Sequence, residues 1–488
     1  MSRFYTLSRA ASLFALGFAL TSCTTPDSPQ ATPRANPEPP PTVVESPTTP
    51  VPEAPVLPQP TPTPAVDHTI RPDPAHKSIA LSPSDSLRKV QMQSGYQLER
   101  VLSEPTIQSP AIMAFDGNGR MFVAEMRSYM LDINGTDKFK PMSRVSLHTD
   151  TDGDGVYDHS TVYADNLILP RILLTLDDRV IIGETNTYDL YIYRDSDGDG
   201  VADEKDLWYE GGPRGGNLEH QPNGAIWAMD NAIYATYWDF RLRMGPDGKA
   251  IKEEIPINGG QWGLTQDNWG KVWFINAGAE LGPVHFQQPI LYGQFNAANQ
   301  HVGDFKVVWP IDNIPDTQGG RAQLRENNTL NHFTATCGLD VFRGDRLPAD
   351  LQDDILFAEP VGRLVRRAKV TVEDGTTRLA NAYDENEFRP MNMMTAPDGT
   401  LYIIDMYRGI IQESQWTNEG SYLREQILAY GLDKEIGGGR IYRLTHSGFE
   451  RGPAPRMLDE TPAQWVQHLN HPNGWWRDTA QKLLVLKQ

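Results

Sequence analysis

The sequence predicts an all-β fold: a six-bladed β-propeller behind a disordered, proline-rich N-terminal tether, with a short C-terminal helical pair. Three observations predict it. One turn-and-strand signature recurs six times, long amphipathic helical windows are nearly absent before residue 455, and 17 of the 38 prolines crowd into residues 24–75.

Residues 1–22 have the form of a secretory signal. Arg3 and Arg9 give a positive start, and Ala10–Leu20 is an apolar run too short to span a bilayer. The run ends Leu20-Thr21-Ser22-Cys23, which resembles the bacterial lipobox and implies acylation of Cys23. Several acyl chains, at about 0.8 kcal/mol per buried CH₂, make a firm anchor. Thr24 follows the cysteine, and by analogy this favours the outer membrane of a bacterial cell envelope, facing the periplasm or the cell surface. Residues 23–75 lack Phe, Trp and Tyr and cannot form a core; proline fixes φ and removes amide donors, so this stretch is expected to be an extended spacer. At ~3.1 Å per residue it reaches up to ~150 Å.

The six repeats lie at residues 115–125 (FDGNGRMFVAE), 176–184 (LDDRVIIGE), 229–237 (MDNAIYATY), 266–276 (QDNWGKVWFIN), 352–360 (QDDILFAEP) and 397–405 (PDGTLYIID). Each is a strand introduced by Asp, Asn or Gly turn residues and rich in β-branched and aromatic side chains. Their spacing, roughly 60 residues, suits a four-stranded blade with its loops, and places the propeller at 81–450. Two packed β-sandwiches are the plain alternative, but they need no repeated signature. The long insertion Ala277–Asn331 is expected to overhang the channel mouth. In 461–488, Thr461-Pro462 starts a helix, and Trp465, Leu469, Leu483 and Leu484 mark its apolar side.

Composition narrows the function classes. The formal charge of −19, without any basic stripe, argues against nucleic-acid binding. With only Cys23 and Cys337, a disulfide framework and a Cys-rich metal or haem site are ruled out. Two loops, Asp150-Thr151-Asp152-Gly153-Asp154-Gly155-Val156-Tyr157-Asp158 and Asp195-Ser196-Asp197-Gly198-Asp199-Gly200-Val201-Ala202-Asp203, carry the oxygen spacing of a Ca²⁺ loop. Carboxylates stand at positions 1, 3 and 5, a glycine at 6 and a main-chain carbonyl (Val156, Val201) at 7. Position 12 is Thr161 in one and Asp206 in the other, so the loops depart from the EF-hand and suit a structural calcium ion. The plain alternative is a pair of acidic hairpin turns.

Five stretches together resemble the glucose/sorbosone dehydrogenase superfamily of quinoprotein propellers, and within it the exported membrane-bound dehydrogenase domains. They are 81–130, 216–234 (GNLEHQPNGAIWAMDNAIY), 259–270 (GGQWGLTQDNWG), 333–367 and 388–411 (FRPMNMMTAPDGTLYIIDMYRGII). The resemblance implies a propeller with pyrroloquinoline quinone (PQQ) at one mouth. It implies His220 as catalytic base, since His220, Asp230, Ile233 and Tyr234 match the superfamily spacing, with Asn223 and Ala228 in place of glycines. It implies Arg389, Arg343 and Gln261 as cofactor-binding residues. At Asn258-Gly259-Gly260-Gln261 the superfamily arginine is missing.

The function implied is oxidation of a small sugar or alcohol, with electrons leaving to a separate acceptor such as a cytochrome or quinone pool, because the sequence has no Cys-x-x-Cys-His. The membrane is reached through the lipid anchor only. Two other readings stand beside it: a non-catalytic propeller that binds carbohydrate or protein, and a metal-dependent lactonase using the strand-end acids Glu125, Glu184, Glu359 and Asp405. Those acids equally serve as hydrogen-bond acceptors for neighbouring loops.

Overall fold

In most of the repeats the recurring aspartate makes a turn by accepting amides two to four residues ahead. Asp116 Oδ1 takes the amides of Asn118 and Arg120, both at 2.9 Å, and Asp267 Oδ1 takes those of Trp269 and Lys271. Asp230 and Asp398 do the same for Ala232 and Thr400. A side-chain acceptor that mimics the turn carbonyl reverses the chain between two apolar runs. The repeat is therefore the hairpin joining the first two strands of each sheet.

The computed structural model describes residues 79–90, 92–276, 283–285, 324–326, 330–331, 333, 335–373, 376–382, 390–413 and 416–487. The lipobox Cys23, the tether, most of the 277–331 insertion and Arg389 lie outside the described residues. Sheet 1 comprises Pro110–Phe115, Met121–Glu125, Ser143–Thr149 and His159–Leu167. Sheet 2 comprises Ile172–Thr175, Arg179–Gly183, Leu190–Arg194 and Glu204–Tyr209. In sheet 3 the strands are Ala225–Trp227, Ile233–Ala235, Phe240–Met244 and Ala250–Glu254. Sheet 4 has three, Leu264–Gln266, Val272–Phe274 and Val284–His285. Sheet 5 comprises Cys337–Val341, Ile355–Glu359, Leu364–Glu373 and Thr376–Ala382. Sheet 6 takes Pro390–Thr395, Leu401–Asp405 and Arg440–His446, and adds Tyr96–Ser103 as its outer strand.

The architecture is an all-β propeller with few helices. The first strands of the sheets neighbour one another in chain order, and that of sheet 6 returns to that of sheet 1. The expectation of six blades is corrected in one respect: five four-stranded blades are complete, and sheet 4 has three strands among the described residues. Inner strands such as Pro110–Phe115 are buried at every position, whereas Glu204–Tyr209 at the rim is exposed or half-buried throughout.

The ring is closed by the N-terminal strand. Tyr96 to Ser103 pair with His446 to Arg440 around one bulge, so the first and last of the described strands share a sheet. Arg440, fully buried, locks the seam: it pairs with Glu104 at 2.7 Å, stacks 3.3 Å over the Tyr407 ring, and donates to the Leu81 carbonyl at 2.6 Å. Helix α1 (Pro83–Leu87) follows Ser82, whose hydroxyl caps it, and Ser86 hydrogen-bonds Tyr442 of the same sheet. Two further helical segments, α2 (Tyr422–Tyr430) and α3 (Pro462–His468), precede α4 (Gly474–Leu486).

Helix α4 plugs one mouth of the ring. Lys482 Nζ donates to Thr175 O at 2.6 Å, Gln481 to Met229 O at 2.8 Å, Arg477 to Asn268 and Trp476 Nε1 to Pro397 O at 2.8 Å. Asp478 accepts from Gln266 and forms a bidentate pair with the buried Arg343. The helix thus bridges sheets 2, 3, 4, 5 and 6 at the C-terminal ends of their inner strands. Removing the carboxylate would strand a buried guanidinium, a loss worth about 3–5 kcal/mol. No helix among the described residues is long and apolar enough to cross a membrane.

Candidate functional site

With α4 filling one end, the other end carries the cavity of interest. It holds about 240 Å³ and is bounded by residues that flank the starts of the inner strands, among them His220, Gln261, Trp262, Cys337, Met391 and Tyr129. His220 and Gln261 both line this cavity.

His220 ends a short 3₁₀ turn, Leu218–His220, capped by Asn217, whose side chain accepts the Glu219 amide at 2.7 Å. Its carbonyl accepts Arg214 Nη2 at 3.0 Å, and its ring stacks on Tyr237 with centroids 6.2 Å apart. Partial burial, then the charges of Arg171 and Arg214, hold its pKa below the usual value. The imidazole is therefore neutral at neutral pH and able to take a proton.

Gln261 and Trp262 are presented by a loop with three residues in left-handed backbone, Gly260 (φ +115°), Trp262 (φ +54°) and Gly263 (φ +140°). For a tryptophan that conformation costs of order 1–3 kcal/mol and persists only where neighbours impose it. Here they do: Gly338 N donates to Gln261 O at 3.0 Å, and Asn392 Nδ2 to Trp262 O at 2.6 Å. A Cβ on Gly263 would stand 2.7 Å from Asn392 Nδ2, so a glycine is required there.

Three groups at this mouth escaped the sequence reading. Arg171, immediately before the inner strand of sheet 2, is 1% exposed, and its guanidinium lies 4.6 Å from the Trp262 ring centroid. Among the described residues its Nε, Nη1 and Nη2 have no hydrogen-bond partner. Burial lowers its pKa to about 9, which leaves it charged at neutral pH. Tyr129 donates to Ile411 O at 3.1 Å, and burial raises its phenol well above the usual value. Glu219 accepts the Glu413 amide at 2.8 Å, and Glu413 pairs with Lys138 at 2.7 Å. The one available signal was position: an arginine just ahead of an inner-strand run (Ile172–Thr175) must enter near the axis.

The other anticipated residues are placed differently. Arg343 does not reach this cavity; it is committed to Asp478 of α4 at the plugged mouth. The strand-end acids do not converge on the axis but bind loop amides nearby. Glu125 takes Gln108 N at 2.8 Å, Glu184 takes Ile168 N at 2.5 Å, Glu359 takes Ala335 N at 3.2 Å and Asp405 takes Tyr407 N at 2.9 Å. Cys337 lines the cavity as a buried thiol whose pKa burial raises well above the usual value.

In the two aspartate loops, Asp150, Asp152 and Asp154 present carboxylate oxygens within 4.8 Å of one another, as do Asp195, Asp197 and Asp199. Asp158 and Asp203 are instead turned to position 2, where they accept the hydroxyls of Thr151 (2.5 Å) and Ser196 (2.7 Å). They brace the loop rather than join the cluster, because a hydroxyl and an amide of the same residue satisfy both oxygens. Val156 and Val201 donate their amides to Asp154 and Asp199, and Asp206 is exposed on the outer strand of sheet 2. Arg451 bonds the carbonyls of Gly153 and Asp154 in the first loop.

Glu219 gives the site a pH signature. Burial, against the opposing hydrogen bond from the Glu413 amide, raises its carboxyl from 4.5 to about 7. The folded protein then holds a proton that the unfolded chain releases, so stability falls as pH rises from about 4.5 to about 7 and is level above. Glu219→Gln should remove that part of the dependence and raise the melting temperature at pH 8 by a few degrees. An unchanged pH profile would show that the carboxyl ionises normally.

A protein-family profile described as "Domain of unknown function (DUF7133)" matches residues 82–448. No match was found among the curated proteins. Among solved structures, the chain is similar to the apo soluble aldose sugar dehydrogenase from Escherichia coli: 12% identity, 72% of this chain, 99% of that one, TM-score 0.42. It is similar to the PQQ-bound aldose sugar dehydrogenase from Streptomyces coelicolor, at 14% identity, 73% and 99% coverage and TM-score 0.41. A luciferin-regenerating enzyme matches as well, at 11% identity, 74% and 99% coverage and TM-score 0.41. The match across residues 82–448 identifies the chain as a member of the DUF7133 family.

Proposed function

We propose that the protein is a propeller oxidoreductase that binds PQQ in the open-mouth cavity and oxidises a small sugar or alcohol, passing electrons to a separate acceptor. The observation that carries this reading is the meeting, in one cavity, of a neutral histidine, His220, with the Gln261 amide and the Trp262 ring. That set suits a planar cofactor, which would lie against Trp262 and take an amide hydrogen bond from Gln261. Bound there, the quinone would supply a two-electron acceptor for hydride. His220 takes the hydroxyl proton of the substrate, and its suppressed pKa keeps it in the accepting form. The apolar wall of Met126, Met391, Met406 and Ile411 excludes water from the reacting carbon.

Calorimetric titration of the wild type with PQQ should show saturable binding, and a dye-linked assay should show sugar or alcohol oxidation. His220→Ala should keep the binding and lose about 10²–10⁴-fold in rate, the usual contribution of a positioned base. Absence of binding to the wild type would leave the non-catalytic binding propeller.

Three further parts of the reading concern the rest of the chain. Sheet 4, with three strands among the described residues, is taken as the sixth blade. The two aspartate loops are proposed to hold structural calcium through Asp150, Asp152 and Asp154, and through Asp195, Asp197 and Asp199, since three converging carboxylates repel one another without a cation. Chelator should lower the melting temperature of the wild type but not of the double variant Asp152→Ala/Asp197→Ala; equal melts of the wild type with and without chelator would refute it. Cys23 is proposed as the lipid anchor at the bacterial envelope. Cys23→Ser should then move the protein from the membrane to the soluble fraction, and continued sedimentation with membranes would refute the anchor.

A further inference from the structure

The open mouth holds a second cavity beside the first. This recess encloses about 220 Å³, and two loops wall both cavities. The loop after the second strand of sheet 1 lends Met126 and Tyr129 to the main cavity, then Met130, Asn134 and Lys138 to the recess. The segment after the second strand of sheet 6 lends Ile411, Gln412 and Trp416 to the main cavity, and Glu413, Asn418 and Glu419 to the recess. Glu413, 2% exposed, ties the two at its amide, which donates to Glu219 of the main cavity at 2.8 Å. Arg424 of α2 pins the walls of the recess together, donating to Asn134 Oδ1 at 3.0 Å and to Thr417 O at 2.8 Å. Either cavity alone falls below the ~300–1,000 Å³ of most small-molecule pockets, and the two together fall within it.

The chemistry of the recess differs from that of its neighbour. Its charges balance: it contains two cations, Lys138 and Arg424, and two carboxylates, Glu413 and Glu419, with Lys138 paired to Glu413 at 2.7 Å. A wall of equal and opposite charge leaves no net attraction for an anion. Hydrogen-bonding capacity is left over. The side chains of Asn418 and Glu419, and Asn134 Nδ2, have no partner among the described residues, and Lys138 Nζ spends one donor, on Glu413. Donors and acceptors set side by side, on walls that Arg424 holds in place, match a neutral ligand with several adjacent hydroxyls, each of which both donates and accepts. We propose that the recess is a second sugar subsite and that the ligand of this mouth is an oligosaccharide. One unit lies beside His220, and the next lies against Lys138, Asn418 and Glu419. The place of the reacting unit rests on the function proposed above; the recess as a sugar site does not.

Calorimetry without added quinone keeps binding apart from oxidation. Wild type and the double variant Asn418→Ala/Glu419→Ala are titrated with glucose, maltotriose, cellotriose and glucose 6-phosphate. Both side chains are exposed and unbonded among the described residues, so the variant should melt as the wild type does. At least one trisaccharide should bind the wild type about tenfold tighter than glucose, the worth of one or two net hydrogen bonds. The double variant should lose that gain and bind glucose unchanged. Glu419→Gln, which keeps the shape of the side chain, should lose part of it, so the result does not hang on the fold of the double variant. Equal binding of glucose and both trisaccharides, or a gain that survives in the double variant, would overturn the subsite. Tighter binding of glucose 6-phosphate than of either trisaccharide would overturn it too, by assigning the recess to an anion. A gain that depends on Asn418 and Glu419, in a protein that neither binds PQQ nor oxidises sugars, would keep this inference and refute the oxidoreductase. Sugar oxidation with no gain from chain length would keep the oxidoreductase and overturn the subsite. No binding of any of these sugars to the wild type would also overturn it.

Discussion

The structure depends on closure of the ring at one seam. Tyr96–Ser103, the first strand of the chain, is the outer strand of the last sheet, and Arg440 ties it in through Glu104, Tyr407 and Leu81. A propeller whose ends do not meet leaves sheet edges open and lets the inner strands splay. With the seam closed, the starts of all inner strands converge on one face. That convergence sets residues from sheets 1, 2, 3 and 4 a few ångströms from one another although they are far apart in sequence. The site is a consequence of closure, not of any one blade.

The helix α4 gives the ring a direction. By pairing Asp478 with Arg343 and seating Lys482 against Thr175, it consumes the polar groups of one mouth and leaves the other free for a ligand. Arg343 is paired with Asp478 of α4, whereas Arg171 is buried toward the opposite mouth against the Trp262 ring. Trp262 holds its left-handed backbone beside the cavity.

Much of the fold was legible in the sequence because its signals are local. Each Asp/Asn/Gly turn followed by an apolar run is a complete instruction for a hairpin, and Asp116, Asp230, Asp267 and Asp398 carry it out with their own side chains. The site was legible only in part. Family spacing singled out His220 and Gln261, and both line the same cavity. Arg343 was misplaced because an arginine in a loop carries no mark of which mouth it serves; that depends on α4, more than a hundred residues later. Arg171 was missed because its meaning lies in what surrounds it across the axis, and Asp158 and Asp203 because spacing does not reveal which way a carboxylate turns.

The central claim is that the open mouth of this propeller binds a planar cofactor beside His220, Gln261 and Trp262. A crystal structure of the propeller, residues 79–488, grown with PQQ tests it most directly. The account predicts density for the quinone in the cavity beside His220 and the Trp262 ring. A cavity filled only by solvent under saturating cofactor would contradict it.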